Sequence, residues 1–111
     1  MTLRQIVAVV RTSLLDQVLE HLRAIGVHSA TVDPVDGMTT HPVRDAASYF
    51  GTLVSHSRLV LYADAPRVDQ IVEVILASGS TGEHGDGLVA VLPVEQAYDI
   101  RTRQPFTPEH L

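Results

Sequence analysis

Residues 3–26, LRQIVAVVRTSLLDQVLEHLRAIG, set a β-rich apolar run directly before an amphipathic helix. In Leu3 to Val10 the apolar residues Leu3, Ile6, Val7, Val9 and Val10 are too dense for simple alternation, so the run predicts a strand covered on much of both faces. Ser13 then precedes Leu14, Leu15, Val18, Leu19, Leu22 and Ile25, spaced by three and four residues. With Asp16 three positions after Ser13 and Gly26 past the last apolar residue, the pattern predicts a helix capped by Ser13 and stopped at Gly26.

The same unit recurs downstream. Val27 to Val35 reads as a second strand, with Pro34 tolerable only at a strand end or edge. Residues 36–55 hold glycines, Pro42 and no sustained period, which predicts a long loop of the kind that is usually functional in a compact domain. Ser57 to Ala63 (SRLVLYA) is a third strand, and Asp64, Ala65 and Pro66 open a second helix with Val68, Ile71, Val72, Ile75 and Leu76 on one face, fraying into Ser78 and Gly79. After a glycine-rich turn, Leu88 to Val94 (LVAVLPV) is a fourth strand. The tail after Arg103, with Pro105 and Pro108, is expected to be loosely ordered. The order β-α-β-loop-β-α-β predicts an α+β ferredoxin-like βαββαβ sandwich, a four-stranded antiparallel sheet with both helices on one face. Residues 1–104 form the expected domain, carrying loop 36–55, and 105–111 its C-terminal tail. Strands apolar on both faces need cover on the second face as well, which a neighbouring subunit would supply.

Composition narrows the function. The net charge of −5 has no block of either sign, which argues against nucleic acid and against a polybasic membrane patch. The apolar runs are too short for a membrane span, and Met1 to Val10 lacks the order of an export signal, so the expected compartment is cytoplasmic. Without cysteine there is neither disulfide nor thiolate chemistry. All eight basic residues are arginine, so an anion would be held by guanidinium, imidazole or backbone N–H groups.

Thr81-Gly82-Glu83-His84-Gly85-Asp86-Gly87 is the strongest local signal, because three glycines permit positive φ and let backbone N–H groups face an anion. It is not a Walker A loop, since the Gly-Lys-Ser/Thr ending is missing and a strand follows; taken alone, a glycine-rich connector of this kind is more often a plain turn. The six histidines, at 21, 28, 41, 56, 84 and 110, form no paired ligand spacing, so no metal site is expected. His84 in the glycine-rich turn and His56 at the root of the long loop are the two placed to meet an anion. The pairs Ser55 with His56 and Asp86 with His84 are the best available for catalysis, and without a nucleophile elbow the chain is expected not to be an enzyme.

Taken together these pieces resemble the PII signalling family, in its divergent PII-like branch. Residues 81–88, TGEHGDGL, are similar to the family's B-loop TG(K/R)IGDGK. Leu15-Asp16 matches a family pair in the first helix, and Thr31, Val32, Val35 and Gly37 match its TVxxVxG segment. Tyr98 to Arg103 is similar to the family's RIRTGE segment. The resemblance implies a homotrimer that binds an adenine nucleotide in clefts between subunits and contacts a partner through a T-loop, here residues 37–55. It places Val9, Thr31, Gly37 and Tyr62 on the base and ribose side and the backbone of Gly85 and Gly87 and the guanidinium of Arg101 on the phosphates, with His84 and Arg103 as further nucleotide-binding residues and His56 as an effector residue of the loop.

Departures from the family shift the expected ligand. Leu88 replaces the B-loop's last lysine and Asp99 the first arginine of RIRTGE, which removes two cationic contacts. Because each is worth about 1.5–3 kcal/mol, AMP, ADP or a cyclic nucleotide is favoured over ATP, with bicarbonate a further candidate. Val43 stands where the classical modified tyrosine lies, and His56 where 2-oxoglutarate sensing needs lysine. The implied partner is a transporter or metabolic enzyme of carbon, bicarbonate or nitrogen metabolism, with membrane contact only through that partner. The alternatives are a trimer without ligand and a divalent-cation-binding trimer of the same fold.

Overall fold

The computed structural model describes residues 1–35 and 55–111. Its elements are β1 (Leu3–Arg11), α1 (Leu15–Ala24), β2 (Thr31–Val35), β3 (His56–Asp64), α2 (Val68–Gly79) and β4 (Gly87–Pro93), then a small hairpin of β5 (Tyr98–Asp99) and β6 (Gln104–Pro105). Four strands form one sheet in the order β2-β3-β1-β4, every neighbouring pair antiparallel, as expected of the ferredoxin-like arrangement.

Register sorts the side chains. Ile6, Ala8 and Val10 of β1 and Leu59, Leu61 and Ala63 of β3 are buried against Val18 and Leu22 of α1 and Ile71 and Ile75 of α2. Alternation sends Val7, Val9, Val60, Leu88, Ala90 and Leu92 to the opposite face, where they are only partly covered and Leu88 is 58% exposed. This second apolar face is the one that the sequence expects another subunit to cover.

Helix ends depart from the sequence reading at several points. α1 stops as predicted, in a Schellman motif: Gly26 takes φ +91, its N–H donates to the Arg23 carbonyl at 3.0 Å, and the Val27 N–H donates to the Leu22 carbonyl at 3.0 Å. Its start differs, because a 3₁₀ turn at Thr12–Leu14 precedes the helix and no side chain caps it, so Ser13 is not the cap. Asp64 caps nothing either; its carboxylate accepts the Thr2 N–H at 3.0 Å, tying the chain's first residues to the end of β3. β2 begins at Thr31 instead of Val27, since 27–30 are spent turning the chain back. α2 does not fray at Ser78 and Gly79, both of which are buried. A Cβ on Gly79 would lie 3.4 Å from Val10 Cγ1, so the small residue lets the helix end lie on the sheet.

The tail is also better built than its prolines suggest. Thr107 opens a 3₁₀ turn at Pro108–His110, whose His110 Nδ1 accepts the Thr107 N–H at 2.9 Å. Phe106 packs edge-on against Tyr62 of β3 with ring centroids 6.0 Å apart, and stacks on His110 at 4.9 Å. Burial of an aromatic side chain thus outweighs the local disorder signal.

Candidate functional site

The glycine-rich turn is organised by Asp86. Its carboxylate accepts the N–H groups of Thr81 at 2.8 Å and Gly82 at 3.0 Å, the Thr81 hydroxyl, and Arg11 Nε at 2.9 Å. Burial pushes the Asp86 pKa up, but the hydrogen bonds from Thr81, Arg11 and Gly82 outweigh it and hold the carboxyl well below the usual carboxylate range. Arg11 also donates through Nη2 to the His84 carbonyl at 3.0 Å, and the His56 ring approaches the Gly85 carbonyl through Nε2 at 2.6 Å. The loop is therefore tied to the ends of β1 and β3, and His84 and Gly85 take part through their carbonyls. Thr81 and Gly82 spend their N–H groups on Asp86, and Glu83 donates to the Thr81 hydroxyl at 3.2 Å, so the loop's first half is committed internally. An anion would have to be met by the second half, around Gly85 and Gly87.

Gly87 has a structural reason of its own. At φ +117 a Cβ would fall 1.8 Å from the Val9 carbonyl oxygen, so no other residue fits where β4 joins β1. Next to it, Leu88 pairs with Val9 on the open sheet face.

A second cluster lies at the other side of the sheet. Thr31 pairs with Val60, and Tyr62 pairs with Gln5. With Ser29, Phe106, His110 and Leu111 among its walls, a pocket of about 210 Å³ opens there. Arg101 and Arg103 sit exposed in the β5–β6 hairpin that leads directly into Phe106, and Arg103 holds φ +62, a left-handed conformation rare outside glycine. Asp99 accepts the Arg101 N–H at 3.0 Å and contacts His110 Nε2 at 3.0 Å. The Arg101 N–H lowers its pKa most, burial opposes this, and His110 adds to the lowering.

The residues singled out from the sequence thus fall into two groups. Val9, His56, His84, Gly85 and Gly87 gather at one end of β1, β3 and β4, so Val9 stands with the turn and not with its expected base-side neighbours, whereas Thr31 and Tyr62 lie further along β2 and β3 and Arg101 and Arg103 in the tail hairpin. From Val10, which pairs with Gly87, to Gln5, which pairs with Tyr62, the sheet spans about 17 Å at ~3.4 Å per residue. Gly37, Val43 and loop 37–55 as far as residue 54 lie outside the described residues. Among the described residues no group of three or more His, Asp or Glu is placed to hold a metal, and no helix is long and apolar enough to cross a membrane.

The family model described as Nitrogen regulatory protein P-II matches residues 3–104. The chain belongs to the P-II family. A Nitrogen regulatory protein P-II of Cereibacter sphaeroides is 35% identical over 105 residues, which cover 90% of this chain and 93% of that one. Nitrogen regulatory protein P-II 2 of Methanothermobacter thermautotrophicus is 31% identical over 105 residues, 90% of each chain. The crystal structure of Arabidopsis thaliana PII bound to citrate superposes with a TM-score of 0.75 at 25% identity, covering 95% of this chain and 89% of the other. Membership makes this chain a signal-transducing regulator, and the P-II fold accounts for its sheet order.

Three residues that organise these two clusters are not readable from local sequence patterns. Arg11 is 75 positions from Asp86, and no local pattern joins them. Phe106 and His110 were hidden by the prolines, although Thr107 followed by Pro108 is a helix-start signal that could have revealed the turn.

Proposed function

We propose that three copies of this chain pack through the open sheet face and bind an adenine nucleotide in the clefts between them. AMP, ADP or a cyclic nucleotide is favoured over ATP. The observation that carries this reading is the division of the site residues into two groups, one at the glycine turn with Val9 and one with Thr31, Tyr62 and the arginine hairpin, the registers of Gly87 and Tyr62 lying about 17 Å apart along β1 in a single chain. A ligand touching both groups needs two subunits, with the turn of one facing the Thr31 and Tyr62 cluster of the next.

Charge supports the choice of ligand. Arg11 is engaged by Asp86, Leu88 offers no charge, and Asp99 is turned to His110, so among the described residues Arg101 and Arg103, exposed in the hairpin that leads to Phe106, are the cations the resemblance offers to a phosphate. Two guanidinium groups suit one or two phosphates better than three. Ligand occupancy would then bias loop 37–55, which starts next to β2, between states that bind or release a partner such as a transporter or metabolic enzyme. Calorimetry with AMP, ADP, ATP and cyclic AMP, alongside native mass spectrometry, tests the reading. The expected result is a trimer that takes up one nucleotide per cleft with ATP the weaker ligand; a monomer, or no heat with any nucleotide, refutes it.

A further inference from the structure

The pocket beside Tyr62 is walled on one side by a segment that lies beyond the family match, which ends at residue 104. Phe106 presents its edge-on contact to Tyr62 and stacks nearly parallel on His110, at an interplanar angle of 8°. The His110 ring is fixed at both nitrogens. Nδ1 accepts the Thr107 N–H at 2.9 Å, which leaves the proton on Nε2 to be donated to Asp99 at 3.0 Å. The Phe106 N–H donates to the Ala97 carbonyl at 2.8 Å, so backbone and side chain of the tail are held independently. Asp99, which replaces a cationic residue of the family motif, therefore works as the anchor of an aromatic wall.

At about 210 Å³ the pocket is smaller than the ~300–1,000 Å³ that takes in a whole drug-sized ligand. Three aromatic rings, with the Ser29 and Thr31 hydroxyl-bearing residues beside them, suit one planar ring with polar edges. Building on the nucleotide reading above, we infer that Phe106, held in place through Asp99 and His110, is a specificity-determining residue that makes the site select the heteroaromatic base of its ligand over the base-free sugar phosphate.

The test compares AMP with ribose 5-phosphate by calorimetry on the full chain. Base-to-aromatic stacking predicts that Phe106→Ala weakens AMP by roughly tenfold and leaves ribose 5-phosphate unchanged. Phe106→Trp should keep AMP affinity, and because the chain has no other tryptophan, its fluorescence should respond to AMP and stay constant with the sugar phosphate. Asp99→Ala, which releases His110, should lower AMP affinity with the same selectivity. Unchanged AMP binding by Phe106→Ala, or an equal loss for both ligands, overturns the role of Phe106 while the nucleotide reading stands. If the wild-type chain binds no nucleotide, the nucleotide reading falls and takes this inference with it.

Discussion

Replacing Asp86 with alanine removes the acceptor shared by four donors, the Thr81 N–H and hydroxyl, the Gly82 N–H and Arg11 Nε. Hydrogen bonds to a charged group are worth about 1.5–3 kcal/mol each when buried. Here the Asp86 side chain is 23% exposed, and water can re-solvate the loop donors once the carboxylate has gone. The backbone pair then resembles a lost helix cap, about 0.5–2 kcal/mol, and the Arg11 contact a partly screened ion pair, about 1 kcal/mol. The expected loss is about 2–3 kcal/mol, a substantial part of the ~5–15 kcal/mol of a domain this size, and a fall in Tm of about 10 °C. Urea and thermal melts at one fixed protomer concentration measure it. The pH dependence separates the carboxylate from generic damage. Because the folded pKa lies below the ordinary aspartate value of 3.8, the wild type's extra stability is fully present above that value and is lost as pH falls towards the folded one. The gap between wild type and Asp86→Ala should therefore be constant from pH 8 to pH 5 and shrink below pH 4. A loss under 0.5 kcal/mol by this order-of-magnitude reckoning, or a gap that widens in acid, would refute the argument.

Other substitutions probe separate parts of the structure. Gly87→Ala forces a Cβ to within 1.8 Å of the Val9 carbonyl oxygen, so the β1–β4 junction must open and stability should fall by about 3 kcal/mol or more, read by urea denaturation; an unperturbed midpoint would contradict the described backbone. Leu59→Ala, at a fully buried position between sheet and helices, should cost about 2–5 kcal/mol in the same assay. Arg101→Ala, an exposed residue, should leave the melt within about 0.5 kcal/mol of wild type and weaken a phosphorylated nucleotide more than tenfold in calorimetry. Unchanged affinity would remove Arg101 from the site.

Much of the fold was legible because its information is local and periodic. The three-and-four spacing from Leu14 to Ile25, Gly26 past the end, and the apolar runs of β1, β3 and β4 each report a face that must be buried. Helix starts were misread where a short polar residue had another task, as Asp64 does in holding Thr2. The site was legible only through its glycines and its likeness to a known pattern. Arg11 and Asp86 meet across 75 residues, and the tail's order depends on Tyr62, which is 44 positions upstream of Phe106 on a different strand.

The sequence alone therefore determined the order of the elements and which face of each is apolar, since periodicity and glycine placement are properties of neighbouring residues. Tertiary structure decided what the glycine turn is tied to and where Arg101 and Arg103 stand relative to it. It also decided that Asp99, in the segment similar to the family's RIRTGE, turns to His110. The reason is physical: hydrogen bonds and ring contacts between distant residues form only after the sheet's register has fixed which side chains share an end of it.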